Sequence, residues 1–139
     1  MESRPCLRKG AYNPAALKVH LRDLANGGTI IVNTGAFTDR NIAKAGYKSN
    51  PLEDGSLESY RALKIDISKL TLASVEGLGL SQRDALRCKN LWTLGLMCWM
   101  YDRDRKPTVD WLNSRFGDRP EIAEANIAAL NAGHAYGET

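Results

Sequence analysis

The chemically versatile residues of this chain are three cysteines and two histidines, and their spacing limits what they can do. Cys6, Cys88 and Cys98 form no Cys-x-x-Cys pair and have no histidine near them in sequence, so the spacing supplies neither a zinc nor an iron–sulfur ligand set. If Cys88 and Cys98 share a helix, the rise between them is about 15 Å, beyond the reach of a disulfide. They read as buried thiols in a reducing compartment. His20 falls on the face marked by Leu17 and Leu24, which predicts a packing histidine rather than a base. His134, beside Gly133, reads as a cation at a helix terminus. No nucleophile–base pair and no carboxylate pair is readable from spacing, so catalysis and metal binding are assigned to no residue.

Asn33, Thr34 and Gly35 are candidates for cofactor contact by position alone. They follow a β-branched run at its carboxyl end, where open α/β sheets hold their ligand loops. A glycine-containing turn capped by asparagine accounts for the same residues. Trp92, Trp99 and Met100, with Met97 and Cys98, crowd one segment, a pattern that suits a core or subunit interface better than a cofactor box. Arg103-Asp104-Arg105-Lys106 is a charged loop, solvated by default and a weak signal for anion binding.

The elements that must position these residues alternate between helix and strand. Asn13-Pro14 has the form of a helix start, with Leu17, Leu21 and Leu24 on one face and Asn26-Gly27-Gly28 as the stop. Thr29-Ile30-Ile31-Val32-Asn33 predicts a strand buried on both faces of a parallel sheet. Leu63 to Ile67 alternates apolar and charged residues, as an edge or half-exposed strand does. Between them, Thr38-Asp39 caps a short helix through Ile42 and Ala45 that ends at Gly46. Asn50-Pro51 and Asp54-Gly55 then make 46–56 a surface excursion.

Beyond the second strand the pattern is helical. Ser68 is placed to cap a helix through Leu70, Leu72 and Val75, closed by Gly77 or Gly79. Ser81 with Asp84 resembles a capping box and opens a helix running to about Asp102, apolar nearly all round in its second half and therefore buried on most sides. Pro107-Thr108 opens another, with Val109, Leu112 and Phe116 on one face. Pro120-Glu121 opens the last, with Ile122, Ala125, Ala129 and Leu130 turned inward. The expected fold class is α/β, with an incomplete Rossmann-like parallel sheet of about two strands and a helical C-terminal half. Two strands are few for a doubly covered parallel sheet, and the helix entering Ile30-Ile31-Val32 reads as the return half of a βαβ unit whose first strand lies upstream. Met1 to Ala11, polar and basic, shows no strand pattern.

Several blocks, in order, resemble the gamma domain of the 2-oxoacid:acceptor (ferredoxin) oxidoreductases. They are Asn-Pro-Ala-Ala-Leu-Lys at 13–18, Gly-Gly-Thr-Ile-Ile-Val-Asn-Thr at 27–34, Arg-Cys-Lys-Asn at 87–90 before Leu94-Gly95-Leu96, and Glu-Ala-Asn-Ile-Ala-Ala-Leu-Asn-Ala-Gly at 124–133, ending in Tyr136-Gly137-Glu138-Thr139. The likeness is to the alpha subunit of the 2-oxoglutarate:ferredoxin type, within the pyruvate/ketoisovalerate oxidoreductase family, where a gamma domain precedes a thiamine-diphosphate domain. It covers about Ala11 to Thr139. The family's opening strand and Gly-x-Gly-Gly-x-Gly turn have no counterpart in Met1 to Tyr12.

The resemblance therefore implies an N-terminally truncated gamma domain over 12–139, behind an unrelated or disordered start at 1–11. It implies oxidative decarboxylation of a 2-oxoacid, 2-oxoglutarate in that type, to an acyl-coenzyme A with electrons passed to ferredoxin. That activity belongs to a larger complex. Thiamine diphosphate, the iron–sulfur cluster and coenzyme A are implied for the complex and not for this chain alone, and the implied partners are its other domains or subunits and, through them, ferredoxin.

Length and composition are compatible with that reading. The chain has 139 residues, 43% hydrophobic and 25% charged, the proportions of an ordinary globular domain. Its longest nearly unbroken apolar run, Leu91 to Tyr101, is half the ~20 residues of a membrane span, so no membrane partner is expected. The net charge is +3, of which +2 sits in residues 1–12. No stripe of basic and aromatic residues favours nucleic acid. Without an apolar N-terminal leader, a cytoplasmic location is expected. Two other functions suit the residues: a structural or partner-docking α/β fragment, and a small anion-binding protein using Asn33 to Gly35.

Overall fold

The computed structural model describes residues 12–21 and 27–139. Leu24, Asn26, Cys6 and the expected start at 1–11 lie outside them. The chain divides into two units, one ending at Asp66 and the other beginning at Ile67.

In the first unit, helix α1 (Pro14–His20) starts as the Asn-Pro pair predicts. Asn13 is extended, and its Oδ1 accepts the Ala16 N–H at 2.8 Å, satisfying a donor the first turn leaves orphaned. Strand β1 (Thr29–Asn33) has the expected bounds, and Ile30 to Asn33 are all buried. Thr38 caps α2 (Asp39–Lys44) by accepting the Asn41 N–H, and Gly46 turns the chain away at φ +91°. The 46–56 excursion is largely exposed but is pinned by Pro51, which is fully buried, and followed by buried Leu57.

Strand β2 is Arg61–Ile65, two residues earlier than the alternation suggested. It is paired parallel to β1 in the register Thr29 with Arg61 through Asn33 with Ile65. Ile67, read from sequence as the last strand residue, is instead the first of helix α3 (Ile67–Ser74), so Ser68 lies inside the helix rather than capping it. A buried apolar residue suits the first turn of a helix as well as a strand end, and the alternation does not distinguish them.

The two-strand sheet has a further partner at one point. The Tyr12 N–H donates to Ile31 O at 2.8 Å and its carbonyl accepts the Asn33 N–H at 3.0 Å, a parallel bridge to Val32. The bonds from Arg61 to Gly28 O leave the other side of β1, because successive carbonyls alternate in direction. Tyr12 thus occupies the edge where the βαβ reading expects a strand, and α1 is its crossover. Tyr12, Leu17, Ile30, Val32, Phe37 and Ile42 form the core beneath. Each side chain removed from water here contributes ~1.5–3 kcal/mol before entropic costs.

The second unit is helical. After α3 come α4 (Gln82–Leu86), α5 (Lys89–Met100), α6 (Lys106–Arg115) and α7 (Pro120–Gly137). Ser81 accepts the Asp84 N–H as the capping pattern predicts. The single helix expected from Ser81 to about Asp102 is two. The Arg87 and Cys88 amides donate to residues three back, Asp84 and Ala85, which tightens and ends the first ladder before Cys88 O starts the second. No glycine or proline marks that break. Helix α6 begins at Lys106, one residue before Pro107, because Asp104 Oδ1 accepts the Lys106 N–H. α5 and α7 pack most closely, through Gly95 and Gly133. A Cβ on Gly95 would collide with the Leu130 carbonyl, whose carbon is 2.8 Å away; one on Gly133 would meet the Trp92 carbonyl at the same distance.

Candidate functional site

The Asn33–Gly35 segment lies where the sequence placed it, at the carboxyl end of β1, and opens a 3₁₀ turn over Thr34–Ala36. Asn33 is 5% exposed. Its Oδ1 accepts the Gly35 N–H at 3.2 Å, and the Phe37 N–H donates to Thr34 O at 3.0 Å. Two amide donors of this segment are therefore engaged within the turn. Asn41 steadies it from α2, donating Nδ2 to Ala36 O at 3.0 Å. Gly35 itself is exposed and Thr34 half-buried.

The other singled-out residues are dispersed. His20 stacks on Tyr12, ring centroids 6.3 Å apart, in the packing position expected of it. His134 sits in the last turn of α7, the end that favours a cation. Trp92, Met97 and Cys98 are buried in the α5 core, whereas Trp99 is 44% exposed and lies against Gly137. Arg103 to Lys106 is knitted into its surroundings: Arg105 donates to Asn131 Oδ1 at 2.7 Å, and Lys106 pairs with Asp110 at 2.8 Å. Such an exposed pair contributes little to stability.

Cys88 and Cys98 are free and buried. Burial raises the Cys88 thiol above its ordinary value, with Asp84 adding to the effect. Burial also raises Cys98, against the opposing pull of Arg105 and Arg103. Both are neutral thiols at physiological pH, which makes them poor nucleophiles and poor metal ligands. Among the described residues no three His, Cys, Asp or Glu side chains come together as a metal site. No described helix is long and apolar enough to cross a membrane.

Sequence reasoning missed a cavity of about 290 Å³ in the second unit. Its walls come from the loop before α4, from the α4–α5 break and from α5, α6 and α7, so residues 80–126 meet there without a local motif. Cys88 and Leu112 form buried wall, while Arg87, Arg119 and Trp111 are exposed. The signal in sequence was indirect: Trp111, 57% exposed, is a large apolar side chain on the polar side of a helix.

Comparison with known proteins supplies what the geometry of dispersed residues does not. A family model described as pyruvate ferredoxin/flavodoxin oxidoreductase matches residues 10–136. The 2-oxoglutarate oxidoreductase subunit KorA of Mycobacterium tuberculosis (strain ATCC 25618 / H37Rv) is 48% identical over 129 residues, covering 93% of this chain. The chain spans 20% of that relative's length. No solved structure matches.

Proposed function

The chain belongs to the pyruvate ferredoxin/flavodoxin oxidoreductase family, and from that premise we propose that residues 12–139 serve as part of the gamma domain of a 2-oxoacid:ferredoxin oxidoreductase, with 2-oxoglutarate as substrate. The complex decarboxylates the 2-oxoacid oxidatively, forms an acyl-coenzyme A and passes electrons to ferredoxin. The observation that carries this reading is 48% identity to a 2-oxoglutarate oxidoreductase subunit across nearly the whole chain.

Within that complex the chain has a structural and assembly role. Its two described cysteines, Cys88 just before α5 and Cys98 near its end, are separated, buried and neutral, and do not fit an iron–sulfur cluster. The family resemblance implies thiamine diphosphate, the cluster and coenzyme A for the whole complex. The Asn33–Gly35 turn is assigned to the ligand-facing end of the sheet, supported by its place after β1. Unpaired thiols suit a cytoplasmic site of action.

The test is an assay of coenzyme A-dependent acceptor reduction with 2-oxoglutarate, run on the purified chain and on the chain combined with the remaining parts of the complex. Turnover is expected only in the combined sample. Turnover by the chain alone would overturn the auxiliary role.

A further inference from the structure

The cavity in the second unit is independent of the family reading, and its lining has a definite chemistry. Leu80, Leu91, Leu112 and Ile122 give it an aliphatic interior, and Trp111 and Phe116 add aromatic surface. Three charged side chains border it: Arg87, Arg119 and Asp84. Arg87 lies 3.9 Å from Asp84, a loose pair with both side chains well exposed. Among the described residues, Arg119 has no carboxylate partner. The lining therefore carries one net positive charge, placed on a guanidinium whose planar fork matches a carboxylate.

Two polar groups deeper in the wall are uncharged. Asn126 donates Nδ2 to Ile122 O at 2.9 Å within α7, and the Cys88 thiol is held protonated by burial. A ligand entering the cavity thus meets an apolar interior and a single unmatched cation. At about 290 Å³ the space is near the lower end of the ~300–1,000 Å³ range of small-molecule pockets, too small for a nucleotide or an acylated cofactor.

We infer that this cavity is a binding site for a small apolar monocarboxylate, its hydrocarbon or aromatic body against Leu112 and Trp111 and its carboxylate on Arg119. Trp111 is at once wall and reporter, because a ligand lying on its indole changes its emission.

The probe is 3-phenylpropionate, with its uncharged amide as the matched control, titrated into the full chain and followed by tryptophan fluorescence and by chemical-shift mapping. The expected result is saturable binding of the acid, with shifts confined to residues around Leu112 and Ile122, and at least tenfold weaker binding of the amide. Arg119→Gln is expected to weaken the acid about tenfold and leave the amide unchanged, the signature of one lost charge-assisted contact. Leu112→Met keeps the wall's volume and should preserve the preference for the acid. No saturable binding, equal binding of acid and amide, or an acid affinity unchanged by Arg119→Gln in a chain with a native unfolding transition would each overturn the inference.

Discussion

Gly95 of α5 and Gly133 of α7 face each other's helix backbone, each filling the place where a methyl group would strike the other helix's carbonyl. Gly95 sits over Leu130, and Gly133 sits over Trp92. A glycine inside a helix ordinarily costs ~0.5–1 kcal/mol relative to alanine. Here the close approach reverses that sign, since a Cβ forces the two helices apart.

Gly95→Ala and Gly133→Ala should therefore each destabilise the protein, by about 1–3 kcal/mol, the scale of overpacking in a dense core. Gly117 supplies the contrast. Its Cβ would make only ordinary contacts, 3.5 Å from Asn113 O, so Gly117→Ala should stay within ~0.5 kcal/mol of the parent. Urea unfolding of the three variants measures the difference, and equal effects at all three positions would remove the close-packing account.

Helix starts give a second expectation. Asn13 Oδ1 is the cap of α1 and Asn33 Oδ1 closes the turn after β1. Asn13→Ala should cost ~1 kcal/mol, the usual loss for an N-cap. Asn33→Ala should cost about as much by leaving the Gly35 N–H without its side-chain acceptor. Amide hydrogen exchange should accelerate at Ala16 in the first variant and at Gly35 in the second.

The buried thiols set a pH dependence at the alkaline end. Their folded values are raised above the ordinary 9.0, so the unfolded chain ionises first as pH rises. The stability they contribute is fully present below that ordinary value and is lost as pH climbs through it toward the folded values. Unfolding midpoints should hold between pH 7 and 8 and fall above about pH 9, and Cys88→Ala with Cys98→Ala should flatten the fall. In a Cys6→Ser chain, thiol reagents should label slowly when native and rapidly in denaturant.

Asp54 behaves in the opposite sense. Hydrogen bonds from the Ser49 and Ser56 hydroxyls and the Ser56 amide hold its carboxyl below the ordinary 3.8. Its contribution is present above that value and lost on further acidification, and a carboxyl titration by NMR should show Asp54 protonating below the ordinary 3.8. Ser49→Ala should move that titration upward.

Much of this architecture was legible because its signals are local. Asn13-Pro14, Thr38, Ser81 and Pro120 announce helix starts through side chains that satisfy backbone donors or fit the first turn, and all four do so here. The β-branched run at Thr29 to Asn33 marked a buried strand with correct bounds. The misreadings have a common cause. The end of β2, the break at Arg87-Cys88 and the bridge at Tyr12 are set by what the backbone meets in space, and no residue type in those segments encodes it. The α5–α7 contact and the cavity belong to the same class: helices distant in sequence make them.

The proposed role of this chain is that of the matching segment in a 2-oxoglutarate oxidoreductase. Its most direct test replaces the corresponding 129 residues of KorA with residues from this chain and measures 2-oxoglutarate- and coenzyme A-dependent acceptor reduction by the assembled enzyme. Activity within about tenfold of the parent enzyme is expected, roughly 1.4 kcal/mol in barrier. A chimera that assembles with its cofactors bound and yet fails to turn over 2-oxoglutarate would contradict it.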